Sequence, residues 1–405
     1  MTIQSSSPAA PWSAVLALSL CASTLVASEF MPVSLLTPIA TDLHLSEGQV
    51  GQAIGVSGLF AVITSLFIAA VTSGVDRRSL LLSLTALMLL SGSVVSSAPD
   101  YMTLMGGRAL IGIVVGGFWS MSAATMMRLV PAGAVARALA ILNGGNALAT
   151  TVATPLASFL GQHIGWRGAF FCVVPIAAAT FVWQFLTLPA MPDRNRSGAA
   201  VTFRVLRRPQ VAYGMLAAAL FFLGQFSLFT YLRPFLETVT HTSVSTLSAL
   251  LLILGVAGLV GTSFIGFILR PHLHAALVAM PLAMAAVAIG LVTLGSSLIA
   301  TTILLGLWGL IGTAAPVGWW SWLAQTLPDD AEAGGGLMVA VVQLAIATGA
   351  AFGGLLFDSI GYRATFLFSA LTLCLSAGAI FLGTRRQAPK PAHAAHDGCT
   401  SAARS

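Results

Sequence analysis

The feature that most constrains this chain is a nearly continuous series of apolar stretches, separated only by short polar breaks. A helix needs about 20 mostly apolar residues to cross the ~30 Å hydrocarbon core of a bilayer, where its backbone groups must be satisfied internally. Twelve such stretches can be placed, at about 13–40, 49–73, 79–98, 102–127, 138–163, 168–190, 210–236, 244–268, 274–295, 298–323, 336–357 and 364–384. With 57% hydrophobic and 7% charged residues, the 405-residue chain cannot hydrate the surface of a soluble fold, which is roughly 25% charged. The expected class is all-α: a polytopic membrane protein with twelve transmembrane helices in two six-helix bundles.

A net charge of +6 does not mark a nucleic-acid partner, because the basic residues are not gathered on a soluble face. They orient the chain instead. With an even number of spans, Arg167, Arg233 and Arg363 fall on one side and Arg108 lies within a span, leaving fourteen of the eighteen Lys and Arg on the other side. The positive-inside rule makes that side cytoplasmic, with both termini on it. No Lys or Arg precedes Arg77, so the first stretch lacks the basic region of a cleavable signal and reads as a retained helix. The break from Pro192 to Arg208 carries five arginines and divides the chain near its middle. The expected organisation is an N-terminal bundle at 1–190, a cytoplasmic linker at 191–209, a C-terminal bundle at 210–385 and a cytoplasmic tail at 386–405.

The halves also repeat one another. At an offset of 196 positions, Glu29 and Phe30 align with Gln225 and Phe226, Pro38 with Pro234, and Ile164, Gly165 and Arg167 with Ile360, Gly361 and Arg363. Trp166 and Phe170 match Tyr362 and Phe366. Agreement at Arg, Pro and aromatic positions carries more weight than agreement at Leu or Ala in so apolar a chain. Parallel repeats of this kind are common in transporters, with the substrate site between the halves. Trp166 and Tyr362 read as interface anchors, and the arginine beside each as reaching headgroups or a helix end.

Of the twelve acidic residues, only Glu29 lies well inside a span. A charge there costs roughly 3 kcal/mol or more unless it meets water or a partner, which makes Glu29 a candidate proton-coupling group. Arg108 is the only basic residue inside a span, and it is a candidate ion-pair or relay partner for Glu29. Gly112 and Gly116 follow it at spacings of four, so one face of that helix combines the charge with two positions open to close backbone approach. Candidate substrate-binding side chains are Phe30, Phe118, Trp119, Asn143, Asn146, Gln225, Phe226, Phe229, Tyr231, Trp319 and Gln343, with Trp308, Trp320 and Trp322 near them. Amides can pair with a purine or sugar edge and aromatic faces can stack on a base. Taken singly, each also reads as packing; as a set they favour a neutral, ring-containing substrate. Arg233 and Glu237, four apart, can bridge on the outer rim.

Catalytic patterns are absent: there is no His-Glu-x-x-His, no phosphate loop ending in Lys and no Gly-x-Ser-x-Gly. Cys21, Cys172 and Cys374 lie in apolar stretches and Cys399 in the tail, without metal-ligand spacing. The expectation is a non-enzyme with no cofactor or metal, using an ion gradient or another subunit for uphill work.

Residues 12–385 resemble the twelve-helix drug/proton antiporter branch of the major facilitator superfamily. Glu29 through Pro32, Leu36, Pro38, Ala40 and Asp42 are similar to the branch's sugar and nucleoside exporters, as are Phe118, Trp119 and Ser120. Asp76, Arg77 and Arg78 match the superfamily's signature between helices 2 and 3, and Arg108, Gly112 and Gly116 its helix 4 motif. The chain differs in having Thr72 four residues before Asp76, and Thr154, Pro155, Ser158 and Phe159 where the helix 5 motif has glycines around its proline. Trp12 to Val15, Gly117 to Trp119, Met127 to Pro131, Phe229 to Pro234 and Pro316 to Trp319 are similar to the branch's purine ribonucleoside exporters. This resemblance implies an inner-membrane antiporter, expected as a monomer in lipid, that exchanges protons for inosine- or guanosine-like nucleosides by alternating access. It implies a conformational-switch role for Asp76, Arg77 and Arg78. A broader drug or sugar exporter is the alternative within transport, and a receptor or scaffold without turnover is the alternative outside it.

Overall fold

A computed structural model describes residues 12–72, 74–192, 208–327 and 331–385. Most of the expected linker (193–207) and all of the expected tail (386–405) lie outside the described residues. The helices are α1 (Trp12–Leu43), α2 (Glu47–Val71), α3 (Arg77–Ser96), α4 (Tyr101–Leu129), α5 (Val135–Phe171), α6 (Val173–Thr187), α7 (Pro209–Thr230), α8 (Leu232–Thr238), α9 (Val244–Leu294), α10 (Leu298–Gly312), α11 (Ala315–Thr326), α12 (Ala331–Ser359) and α13 (Tyr362–Arg385).

Length converts these helices into crossings. The 51 residues of α9 would extend roughly 76 Å as one rod, more than twice the hydrocarbon thickness. The helix breaks at His272 (φ −136°, ψ 40°), so α9 makes two passes. Among the described residues eleven apolar segments are long enough to cross, and one of them, Arg137–Thr187, again holds two passes because α5 breaks at Gly165 (φ 73°, ψ 166°). The total is twelve, in register with the twelve stretches of the sequence. Side-chain caps fix several starts: Ser46 forms a capping box with Gln49, and Asp76, Asp100 and Ser243 accept from the first-turn amides of α3, α4 and α9. At the exposed Asp100, the Thr103 N–H at 2.8 Å holds the carboxyl below its usual pKa.

Helices α1 to α6 form one bundle and α7 to α13 the other; most of the buried apolar residues of each half cluster together, and Val33 and Ile54 of the first join the cluster of the second. Phe67, Phe185, Phe267, Ile299 and Leu355 are exposed, as a lipid-facing exterior requires and a soluble one would not allow. The repeat is visible in the backbone: Gly165 and Gly361, 196 positions apart, are both at positive φ (73° and 102°), a conformation that favours glycine. It is visible in the packing as well. Phe30 stacks on Phe226, its own repeat mate, with ring centroids 5.5 Å apart. Two equivalent residues can touch only beside the pseudo-twofold axis, so the axis passes between these rings.

The expectation that Trp166 anchors to the interface with a wet edge is corrected. Trp166 is buried, and its indole N–H donates to Asp42 at 3.2 Å. Arg167 donates to the same carboxylate at 2.5 Å and to the Ala98 carbonyl at the end of α3. These groups therefore tie helix ends together within the bundle.

Candidate functional site

The halves meet along two seams that the repeat exchanges, α2 against α12 and α5 against α9. The α2 seam is made by glycines. A Cβ at Gly48, Gly51 or Gly58 would collide with Asp358, Tyr231 or Ala347 respectively, so these positions admit the close approach. Asp358 accepts from Ser46 Oγ at 2.5 Å and from the Gly48 N–H at 3.0 Å, capping the start of α2 from the other half. Gln52 donates to the Ala351 carbonyl at 3.3 Å. On the α5 seam, Thr151 donates to the Gly255 carbonyl at 3.2 Å and Ser248 to Ser158 at 3.0 Å. Ser158 thus brings the divergent helix 5 motif to the interface between the halves.

All these contacts lie in the part of the bundle remote from the end where α6 stops and α7 begins. Towards that linker end, partly exposed stripes on α1 and α7 mark a cleft between the halves. Along α1, a partly exposed stripe runs through Leu16, Leu20, Ser23, Ala27 and Phe30; along α7 it runs through Ala212, Leu216, Ala219 and Leu223 and ends at the buried Phe226. The two stripes match residue for residue at the offset of 196. They converge at the stacked phenylalanines and line a cleft below them. Asn143 is exposed, and a Cβ at neighbouring Gly144 would meet nothing within 4 Å.

Glu29 sits at the closed end of this cleft, 6% exposed, and its Oε1 accepts from Gln343 Nε2 on α12 at 3.1 Å. Its repeat mate Gln225 stays within its own half, donating from Nε2 to the Gly312 carbonyl at 3.2 Å, while its buried Oε1 has no partner. Phe229 packs edge-on against Phe226, with centroids 5.8 Å apart. Nearer the linker end, Trp119 is half-buried, Asn146 is half-buried and Asn143 donates to the Leu139 carbonyl. The structure therefore gathers Glu29, Phe30, Gln225, Phe229 and Gln343 around the end of the cleft, with Trp119, Asn143 and Asn146 at lower levels.

Three candidates belong elsewhere. Tyr231 is fully buried in the far seam, where its hydroxyl donates to the Ala350 carbonyl at 2.7 Å. Phe118 is 1% exposed inside the N-terminal bundle, edge-on to Trp119. Trp319 is 1% exposed beside Phe221 in the C-terminal core; Trp308 and Trp322 are also buried, and Trp320 is exposed. Bulk and aromaticity identify these side chains equally well as core, and only the helix face decides.

Arg108 does not pair with the Glu29 carboxylate. It is fully buried and donates to the Ser28 carbonyl at 2.8 Å, the Glu29 carbonyl at 2.9 Å, the Ala53 carbonyl at 3.2 Å and Ser57 Oγ at 3.2 Å. Desolvating an ion costs several kcal/mol, and four hydrogen bonds from a charged donor offset it. Arg108 thus fastens α1, α2 and α4 together. Gly112 and Gly116 make the same contact possible, since a Cβ at either would strike the Ser57 or Ala61 carbonyl of α2.

The loop before α3 is tied to the end of α6 and the residues that follow it. Asp76 accepts from the Arg78 amide at 3.0 Å and the Met191 amide at 2.7 Å; the Arg77 amide donates to the Met191 carbonyl at 3.2 Å. Arg78 reaches the Phe185 carbonyl at 2.7 Å and lies over that ring. Sequence reasoning missed the seam pair of Ser46 and Asp358, although the glycines at 48, 51, 55 and 58 were its signal.

Two repeat-related bundles around a one-sided cleft, with one carboxyl set deep in a crossing among the described residues, define a membrane transporter. The Major Facilitator Superfamily model matches residues 16–337, and the chain belongs to that superfamily. It is 57% identical over 382 residues to the "Transcription regulatory protein OpdE" of Pseudomonas aeruginosa, covering 93% of this chain and 95% of that one. It is 40% identical over 366 residues to the "Purine ribonucleoside efflux pump NepI" of Escherichia coli K12, covering 90% and 92%. In fold it is similar to a bacterial homolog of the human lysosomal transporter Spinster, solved inward-facing and unoccupied (TM-score 0.78, 17% identity, 94% and 98% covered). It is likewise similar to a D-xylose-proton symporter (TM-score 0.70, 17% identity, 92% and 96% covered).

Proposed function

We propose that this chain is a proton-coupled exporter of purine ribonucleosides in the cell inner membrane, with its linker end and both termini cytoplasmic. The single observation that carries the reading is the hydrogen bond from Gln343 to Glu29, which joins the halves at the closed end of the cleft. Opening the far end must break that bond, which would bring Glu29 to water on the other side of the membrane. A carboxyl at this depth is costly when charged and dry. Protonation from the far side and release into the linker-side cleft then accompany each reversal. A substrate that takes the Gln343 amide for itself removes the tie between the halves, which links its binding to the reversal.

The substrate class rests on the inventory of the cleft and on the efflux pump relatives. Phe30, Phe229 and Trp119 offer ring faces, and base stacking on an aromatic is worth about 1–3 kcal/mol. Gln225 retains an unpartnered oxygen and Asn146 an amide for a heterocycle or ribose edge. The site acts by binding, orientation and proton exchange rather than by making or breaking bonds in its substrate.

A second reading follows from the relative named as a transcription regulatory protein: a membrane sensor that binds a nucleoside and signals without moving it. Counterflow separates the two. Proteoliposomes loaded with unlabelled inosine should accumulate labelled inosine transiently if the chain transports. Saturable inosine binding without counterflow would instead establish the sensor.

A further inference from the structure

Helix α1 carries two prolines in its interior, Pro32 and Pro38. Proline has no N–H, so each leaves the carbonyl four residues earlier without its helical donor. Those carbonyls belong to Ser28 and Ser34, both buried. Each is met by an arginine. Arg108 donates from Nη1 to the Ser28 oxygen at 2.8 Å, and Arg233 donates from Nη1 to the Ser34 oxygen.

The two bonds differ in one respect. Arg108 and Ser28 lie on the same half, so their bond survives any rigid-body motion of one half against the other. Arg233 is on α8, in the other half, so its bond cannot persist once the far end opens. Arg233 is 4% exposed, and Glu237 one turn on holds its Nε at 2.8 Å, which aims the guanidinium at α1. Parting the halves would leave a dry cation and a bare carbonyl together, both of which would need water.

We propose that Arg233 is the latch of the far-side closure and that Pro38 supplies its acceptor. The arginine and glutamate four apart are then not a surface pair. They form a donor held ready for an oxygen that the proline has freed, and the strength of the latch depends on a residue of the opposite half that touches no charge. This assignment is independent of which substrate moves and of whether Glu29 couples to protons.

The test uses a disulfide trap across the other seam. Ser158 and Ser248 lie with Oγ atoms 3.0 Å apart when the far end is closed. S158C and S248C, introduced together after the four native cysteines have been replaced by serine, should cross-link rapidly in membranes under mild oxidation. R233Q removes the charged guanidinium and leaves a shorter, neutral side chain. P38A restores an N–H at position 38, so that Ser34 regains its helical partner and no longer depends on the arginine. Each should slow cross-linking by about tenfold or more, as loss of one charge-assisted hydrogen bond implies. The double variant should be no slower than the slower single one, because both changes remove the same bond. P38A also keeps the test open if R233Q does not fold, since alanine favours the helix. Wild-type cross-linking in P38A, or a double variant much slower than either single one, overturns the proposal.

Discussion

Gln343 Nε2 lies 3.1 Å from Glu29 Oε1, and the two residues belong to different halves of the molecule. Each is 6% exposed, at the level where the cleft ends. Replacing Gln343 by Leu removes the donor without altering the carboxyl. The expected outcome is about a two- to tenfold loss of inosine affinity, from one hydrogen bond between neutral partners, with retained response to a pH gradient. Equilibrium binding and gradient-driven uptake on the same preparation check both halves of this statement.

Trp119 and Gln225 border the cleft, whereas Phe118 and Trp319 are enclosed within the bundles. Trp119→Ala and Gln225→Ala should each weaken inosine binding by about 1 kcal/mol or more while leaving the protein stable. Phe118→Ala and Trp319→Ala should instead lower thermal stability, by about 3–5 kcal/mol for a large buried aromatic. Unchanged affinity in stable Trp119 and Gln225 variants would return both residues to a packing role.

The helix 4 glycines give a stability prediction with an internal control. Gly112→Val and Gly116→Val force a branched side chain against α2 carbonyls and should cost about 1–3 kcal/mol each. Gly106 has nothing within 4 Å of a Cβ. Gly106→Ala should therefore be neutral or raise stability by up to about 1 kcal/mol through helix propensity alone. Thermal unfolding of the three variants in one detergent distinguishes contact from propensity.

The contrast between these residues shows what the sequence made legible. Crossing number follows from lengths of apolar sequence, and the repeat from coincidences such as Gly165 with Gly361, where one backbone conformation recurs. Glu29 was legible because a deep carboxyl is rare. Arg108 was legible as special, but its partners were not: a guanidinium donates to backbone carbonyls as readily as to a carboxylate, and only the fold brings Ser28, Glu29 and Ala53 to it. Tyr231 looked like a ligand because it ends a polar, aromatic run. Its placement depends on Gly51 and Gly354 leaving room for its hydroxyl between α2 and α12, a long-range relationship that no local pattern carries.

Orientation is testable without any substrate. The arginine excess predicts that residues 191–208 are cytoplasmic. A cysteine at Ser197, in an otherwise cysteine-free chain, should resist an impermeant thiol reagent in intact cells and react after permeabilisation. Labelling in intact cells would reverse the assignment of the linker-end cleft to the inside.

The central claim is that Glu29 links nucleoside export to proton entry. Its repeat mate Gln225 cannot titrate, so on this proposal the two halves divide the work between proton exchange and neutral recognition. Glu29→Gln keeps the size of the side chain and its capacity to bond Gln343 while removing the titrating group. The most direct measurement is labelled inosine movement in proteoliposomes, with and without an imposed pH gradient, for the wild type and for this variant. Wild type should accumulate inosine against its gradient only when the pH gradient is present; Glu29→Gln should retain counterflow and lose that accumulation. Wild-type accumulation driven by the pH gradient in Glu29→Gln would contradict the account.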